Sequence, residues 1–262
     1  MGARVLGARM RKLLVITFVL LVVGVGALLV LRADTRPRAP LRVYCGTSMR
    51  PAAEELARDF ERETGVAIEF DFGGSETLLP KIEIAGEGDV FIAHDPFGDE
   101  LARKGKVERY VVPGCLIPVL IVAKGNPLQL HGLADLAKPG VKLGMMDARY
   151  STCGQIVRAR LTEKGLAESV GANVKVEKRS HQDLALDVAL GALDAALVWN
   201  FSAELNRERV DGLWLDEPFP ETRLVVCLLK CTRQRELAER FLALCESERG
   251  RAVFGKFGYR KK

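Results

Sequence analysis

The feature that most limits how this chain can fold is a local pattern that occurs three times. Each time an apolar strand is followed by a short turn rich in glycine or hydroxyl residues, and then by a helix. In the first occurrence Leu41 and Val43 read as a buried strand. Tyr44-Cys45-Gly46-Thr47-Ser48-Met49-Arg50-Pro51 forms the turn, and Ala53, Leu56, Ala57 and Phe60 recur at helical spacing. In the second, Val66, Ile68, Phe70 and Phe72 alternate with Ala67, Glu69 and Asp71. Gly73-Gly74-Ser75-Glu76-Thr77 then leads into Leu78, Leu79 and Ile82. In the third, Val141 to Met146 runs through Asp147-Ala148-Arg149-Tyr150-Ser151-Thr152-Cys153-Gly154 into a helix from Gln155 to Lys164. Alternating strands and helices predict an α/β fold with mostly parallel sheets. In such sheets ligands bind beyond the carboxyl ends of strands, where helices begin, and all three turns fall there.

A helix start leaves several N–H groups unpaired and carries the positive end of the dipole, so a hydroxyl-bearing turn at that point suits an anion. Pro51, in a first helical turn, sacrifices no needed N–H. The alternative is that Thr47 or Ser48 simply caps the helix.

The remaining pattern continues the alternation. Asp89 to Ala93 reads as a strand, and Asp99 to Lys106 as a short exposed helix. Cys115 to Ala123 is apolar but contains Pro118, which suits a crossing between lobes better than a regular central strand. Val174 and Val176 open another strand, Ser180-His181-Gln182-Asp183 precedes a helix from Leu184 to Leu190, and Ala195 to Trp199 is a strand. Leu224 to Leu229 is the last strand, with helices from Glu236 to Phe257.

Charge separates the N-terminus from the rest. Residues 1–40 hold seven of the 39 Lys and Arg and one of the 34 Asp and Glu, leaving 32 bases against 33 acids in the remainder. That balance is no footprint for nucleic acid. Arg4, Arg9, Arg11 and Lys12 precede an uncharged apolar run, Leu13 to Leu31, and a Pro/Arg-rich tether reaches Pro40. At about 1.5 Å per residue the run nearly spans a bilayer core of about 30 Å. The leader is expected to act as an uncleaved anchor or as a signal cut near Val25-Gly26-Ala27, placing the body outside the cytoplasm. Of the six cysteines, Cys115 and Cys227 lie in apolar runs, while Cys45 and Cys153 lie in turns assigned to the site. No pair has C-x-x-C spacing, so metal binding is weakly supported.

In order and spacing, Gly46-Thr47-Ser48, Gly65-Val66, Gly74-Ser75 and Gly88-Asp89-Val90-Phe91-Ile92 resemble the opening half of periplasmic molybdate-binding proteins of ABC importers. Asp147 to Gly154, Leu197-Val198-Trp199 and Ala252 to Tyr259 extend the likeness over nearly the whole chain after Leu41. The resemblance implies a two-lobed periplasmic-binding-protein type II fold, each lobe a mostly parallel sheet flanked by helices, with two crossing hinge strands. It divides the chain into residues 1–40 (leader and tether), 41–118 (lobe 1), 119–219 (lobe 2) and 220–262 (return to lobe 1).

By the same resemblance, the ligand hydroxyls map onto Thr47, Ser48 and Ser75. Backbone donors map near Cys153 and Leu184, and an aromatic hydroxyl of the family maps onto Trp199, whose indole N–H can only donate. The implied function is capture of a molybdate- or tungstate-type oxyanion by a monomer that delivers it to an ABC permease, with no cofactor, no protein-coordinated metal cation and no catalysis. Two departures are expected to be accommodated. Glu76 should point outward or sit in the first helical turn, and Arg50 should be a solvated helix residue or a source of charge. Cys45 and Cys153 would be reduced buried thiols or, facing each other across the cleft, a disulfide.

Other readings stay open at this level. The protein could bind sulfate, an organic anion or ferric ion, the last if Tyr44, Tyr150, His94, His181 and Asp95 converged, or act as a membrane-tethered sensor. An enzyme built on Ser75, His181 and Asp183 lacks the G-x-S-x-G elbow that would frame a nucleophile.

Overall fold

The computed structural model describes residues 39–215 and 219–259. The apolar run Leu13–Leu31 and its cleavage lie outside the described residues. Among the described residues no helix is long and apolar enough to cross a membrane. The chain divides into Met1–Ala39 and Pro40–Lys262, and every strand and helix described here belongs to the second unit.

Ten strands form two five-stranded sheets. The first contains β1 (Leu41–Gly46), β2 (Ile68–Gly73), β3 (Val90–His94), β4 (Val107–Leu116) and β10 (Thr222–Leu229), in the order β2-β1-β3-β10-β4. The second contains β5 (Pro118–Ala123), β6 (Leu143–Met146), β7 (Val174–Lys178), β8 (Ala195–Trp199) and β9 (Val210–Leu213), in the order β7-β6-β8-β5-β9. The two sheets share one topology. Three strands run parallel, the fourth in order (β10 or β5) runs against them, and the fifth pairs antiparallel to the fourth. The sheets are therefore mixed, with four of five strands in each pointing the same way. The carboxyl ends of β1, β2, β3, β6 and β8 all lead into residues that line a single cleft.

The helices follow from the patterns that predict them. Helix α1 (Arg50–Thr64) buries Ala52, Ala53, Leu56 and Phe60, carries its proline in the first turn and stops at Gly65 with φ of 68°. Helices α2 (Ser75–Ala85), α3 (Phe97–Arg103), α4 (Thr152–Glu163), α5 (Ala167–Gly171), α6 (His181–Ala189) and α7 (Asn200–Leu205) flank the strands, and α8 (Arg235–Glu246) and α9 (Glu248–Lys256) close the chain. Phe60 of α1 meets Phe241 of α8 edge-on, with ring centroids 5.4 Å apart. The return segment is thus tied to the first helix through the favourable T-shaped geometry of two buried rings. One apolar core runs without interruption from the first sheet through Leu116, Ile117 and Val119 into the second, and a smaller cluster around Tyr44, Ile82 and Phe91 covers the other face of the first sheet.

The structure extends β4 well upstream of Cys115, to Val107, and begins β5 at Pro118, with Ile117 alone between them. A first-residue proline removes no ladder donor, which is why the apolar run can continue as strand after the break. Asn200 fixes this crossing. Its Oδ1 accepts from Ile117 N–H (3.2 Å), its own N–H donates to Ile117 O (2.9 Å), and its Nδ2 donates to Cys115 O (3.4 Å). The short helix expected over Asp99 to Lys106 is Phe97–Arg103, and it buries Leu101 rather than standing free.

One surface turn makes the acid limit of the second sheet testable. Asp135 accepts from the N–H groups of His131 (2.7 Å) and Gly132 (3.1 Å) and pairs with Lys138 (2.8 Å). The Lys138 bond first, and these amides with it, hold its pKa at about 2. Because the folded pKa lies below the unfolded value of about 3.9, this stability is fully present above about pH 4 and is lost as pH falls toward 2. Asp135→Asn should lower stability at neutral pH by on the order of 1 kcal/mol and flatten the decline between pH 4 and 2. Chemical denaturation across that range measures both effects.

Candidate functional site

The cleft between the sheets has a volume of about 540 Å³. Its first wall is made by the turns after β1 and β2. Thr47 to Met49 form a single 3₁₀ turn whose hydroxyls cap nothing, and the residue in the N-cap position of α1 is Met49. The capping alternative for Thr47 and Ser48 is thereby set aside. Ser48 Oγ donates to Met49 Sδ (3.0 Å), and the Ser48 carbonyl accepts a hydrogen bond from Tyr259 of the C-terminal segment, which anchors the turn.

Ser75, the first residue of α2, carries the most informative atom. The residue is 4% exposed and lines the cleft, yet its Oγ is buried with no hydrogen-bond partner among the described residues. It stands 3.5 Å from the position a Cβ on Gly46 would occupy, so the two turns approach closely because residue 46 has no side chain. An unsatisfied buried hydroxyl costs about 1–3 kcal/mol, and it is satisfied if a ligand oxygen reaches it.

The second wall is built from the starts of α4 and α6. Ser151 caps α4 by accepting from Gly154 N–H (3.4 Å), and Ser180 caps α6 by accepting from Asp183 N–H (3.2 Å). Each cap leaves the two preceding amides, those of Thr152 and Cys153 and those of His181 and Gln182, without a partner among the described residues. Such amides at the positive end of a helix favour an anion.

The site residues expected from sequence are only partly brought together. Thr47, Ser48, Ser75 and Trp199 line the cleft, and Cys153 and Leu184 do not. The Cys153 side chain is fully buried beneath α4, and only its amide belongs to the free helix start. Leu184 N–H is taken by Ser180 O (3.3 Å) and its side chain lies in the core, so the unpaired donors of α6 sit two and three residues earlier. Glu76 lies in the first turn of α2, as expected, and is exposed; its carboxylate lies over Gly74 at the cleft lining. Cys45 is buried in β1 and does not reach the cleft, and all six cysteines are free thiols, with burial pushing those of Cys45 and Cys153 up.

His94 and His181, which the sequence places only in the ferric and enzymatic alternatives, and Arg179, which it does not single out, all line the cleft. Arg179 has no ion-pair partner among the described residues and lies 4.2 Å over the Tyr150 ring. Arg50 sits 4.1 Å over Phe72 and 3.7 Å from Glu54. His94 and His181 flank Trp199, with ring centroids 6.1 and 6.3 Å from it. Burial, and to a lesser degree His94, pushes His181 down to about 3, while burial lowers His94 against the opposing pull of Asp95. Of the ferric constellation, Tyr44 is buried in the smaller core and Asp95 is bonded by Arg223 (2.7 Å). Among the described residues no group of three or more His, Cys, Asp and Glu could hold a metal ion. Asp183 does not line the cleft with Ser75 and His181.

Residues 41–260 match the family described as bacterial extracellular solute-binding protein. The molybdate-binding protein ModA of Mycobacterium tuberculosis is 28% identical over 227 residues, covering 84% of each chain. A Clostridium difficile substrate-binding domain assigned to a molybdenum ABC transporter has a TM-score of 0.74 and 19% identity, covering 86% of this chain and 99% of its own. The sulfate-binding protein SubI of M. tuberculosis has a TM-score of 0.72 and 14% identity, covering 86% of this chain and 87% of its own.

Proposed function

The chain belongs to the bacterial extracellular solute-binding protein family, and we propose that it captures a tetrahedral oxyanion, molybdate or tungstate, between its lobes and presents it to an ABC permease. The observation that carries this reading is Ser75 Oγ, buried and unpartnered in the cleft wall. The similarity to a molybdate-binding protein over 84% of the chain supports the choice of anion. The hydroxyls of Thr47 and Ser48, the free amides of α4 and α6 and the indole of Trp199 surround the same space with neutral donors. Hydrogen bonds to a charged group contribute roughly 1.5–3 kcal/mol each, so five or six of them near the upper value, after association costs, support micromolar binding or tighter.

The cleft is far larger than such an ion, with room for more than a dozen waters at about 30 Å³ each. Binding that touches both walls therefore favours closure, and closure about the Ile117 crossing is the signal a permease would read. In this account the buried core holds the walls, the crossing lets them approach, and the anion links them.

The same volume, with Phe97, Trp199 and Phe201 in its lining, favours a second reading in which the anion is organic. Titration calorimetry of the body of the protein with molybdate, tungstate, sulfate, phosphate and small carboxylates separates the two. Tight binding of molybdate or tungstate supports the first. Binding of carboxylates alone replaces it with the second.

Arg179 lies at the cleft with no ion pair among the described residues, so it should act mainly on encounter. Arg179→Gln is expected to slow association several-fold at low salt, with the difference fading as ionic strength rises. Stopped-flow binding at two salt concentrations measures this.

A further inference from the structure

The two cleft histidines are held in opposite tautomers by backbone partners of fixed polarity. Trp199 N–H can only donate, and it approaches His181 Nδ1 at 3.3 Å. That nitrogen is therefore the bare one, and the neutral ring carries its proton on Nε2. Asp95 O can only accept, and it lies 2.7 Å from His94 Nδ1. There the proton is on Nδ1, and the neutral ring presents a bare Nε2. Neither Nε2 has a hydrogen-bond partner among the described residues, and both histidines line the cleft.

An anion makes different demands on the two rings. His181 offers Nε2–H while neutral, and protonating Nδ1 would set two donors against each other at Trp199 N–H. His94 offers a lone pair while neutral, and it can donate to an oxyanion only as the imidazolium, with Nδ1–H still on Asp95 O.

We propose that His94 and His181 are ligand-contacting residues from the two walls of the cleft, and that capture of a tetrahedral dianion draws one proton from solvent onto Nε2 of His94. This rests on the oxyanion reading above. The charged and titratable groups facing His94 are Asp95 beside it, Glu76 from α2, His181 from α6, and Arg50, Tyr150 and Arg179 elsewhere in the cleft lining. Asp95 and Glu76 favour the imidazolium and burial opposes it, so the free protein keeps His94 neutral near pH 7 and the bound anion tips the balance. The site then discriminates by hydrogen-bond polarity. At neutral pH a ligand oxygen bearing its own proton donates to His94 without proton uptake, and a bare oxygen requires uptake.

The test combines ring-nitrogen NMR of the free protein with calorimetry of sulfate and molybdate between about pH 6.5 and 8.5, where both ions are dianions. The free protein should show His181 in the Nε2–H form and His94 in the Nδ1–H form. Wild-type Kd should weaken with rising pH, approaching tenfold per unit, with net proton uptake seen as a dependence of the apparent enthalpy on the buffer. His94→Gln, which carries a permanent donor, should bind with a flat pH profile and no uptake. His181→Ala should lose about tenfold in affinity at every pH and retain the slope. A pH-independent wild-type Kd, an unchanged slope in His94→Gln, or the opposite tautomers in the free protein would overturn the proposal. Failure of both dianions to bind at any pH, with the two tautomers as assigned, would instead overturn the oxyanion reading on which it depends.

Discussion

Replacing Ser75 by Ala should weaken oxyanion binding by about ten- to a hundredfold and leave the ligand-free protein as stable as the wild type or more so. The affinity loss follows from removing one hydrogen bond to a charged ligand, worth roughly 1.5–3 kcal/mol. The stability change has the opposite sign because Ser75 Oγ is buried without a partner when the cleft is empty. Deleting an unsatisfied hydroxyl removes a desolvation penalty, and alanine is the better helix former at the start of α2. A hydroxyl that served only the fold would behave otherwise, losing stability and leaving affinity unchanged. Calorimetric titration and thermal unfolding of the same variant separate the two cases.

The second large effect concerns the frame of the opposite wall. Gly154→Ala should destabilise the protein by about 2–3 kcal/mol, a fall in Tm of roughly 5–10 °C for a body of this size. A Cβ at residue 154 would lie 2.5 Å from Met146 O and 3.0 Å from both N and Cα of Ala148, all of them backbone atoms. No rotamer can relieve that overlap, so the first turn of α4 must move away from the end of β6. Helix propensity alone predicts the reverse, since alanine in a helix is worth up to about 1 kcal/mol over glycine. The sign of the measured Tm change therefore decides whether close packing or propensity governs this position. Because the same turn carries the free amides of Thr152 and Cys153, ligand affinity should fall with it.

How much of this was legible in the sequence depended on the kind of signal. The strand, turn and helix order survives in β1 with α1, β2 with α2, and β6 with α4, because apolar periodicity reports which face is buried. Thr47, Ser48 and Ser75 were recognisable because glycine and hydroxyl residues mark the point where a strand gives way to a helix. The antiparallel placement of β10 and β5 was not legible. It is set by pairings such as Cys227 with Phe91 and Leu120 with Leu197, far apart in sequence, which local periodicity does not encode. The donors expected near Leu184 are displaced for a related reason. An apolar helix pattern fixes which residues face the core, whereas the free amides lie one turn earlier, at His181 and Gln182, after the Ser180 cap. The sequence placed His94 and His181 only in the ferric and enzymatic alternatives, because their role at the cleft depends on two backbone partners, Asp95 O and Trp199 N–H, and the latter comes from a strand well downstream of His181. Glu76 takes the second of its two expected places, the first turn of α2, and the missing side chain of Gly74 leaves the space its carboxylate occupies.

The most direct test of the central claim is a structure of the protein determined with molybdate. The account predicts one ion held between the walls, within hydrogen-bonding distance of Ser75 Oγ on one side and of donors at the start of α4 or α6 on the other, with the cleft narrowed around it. An ion bound elsewhere, or one that leaves Ser75 Oγ unpartnered, would contradict it.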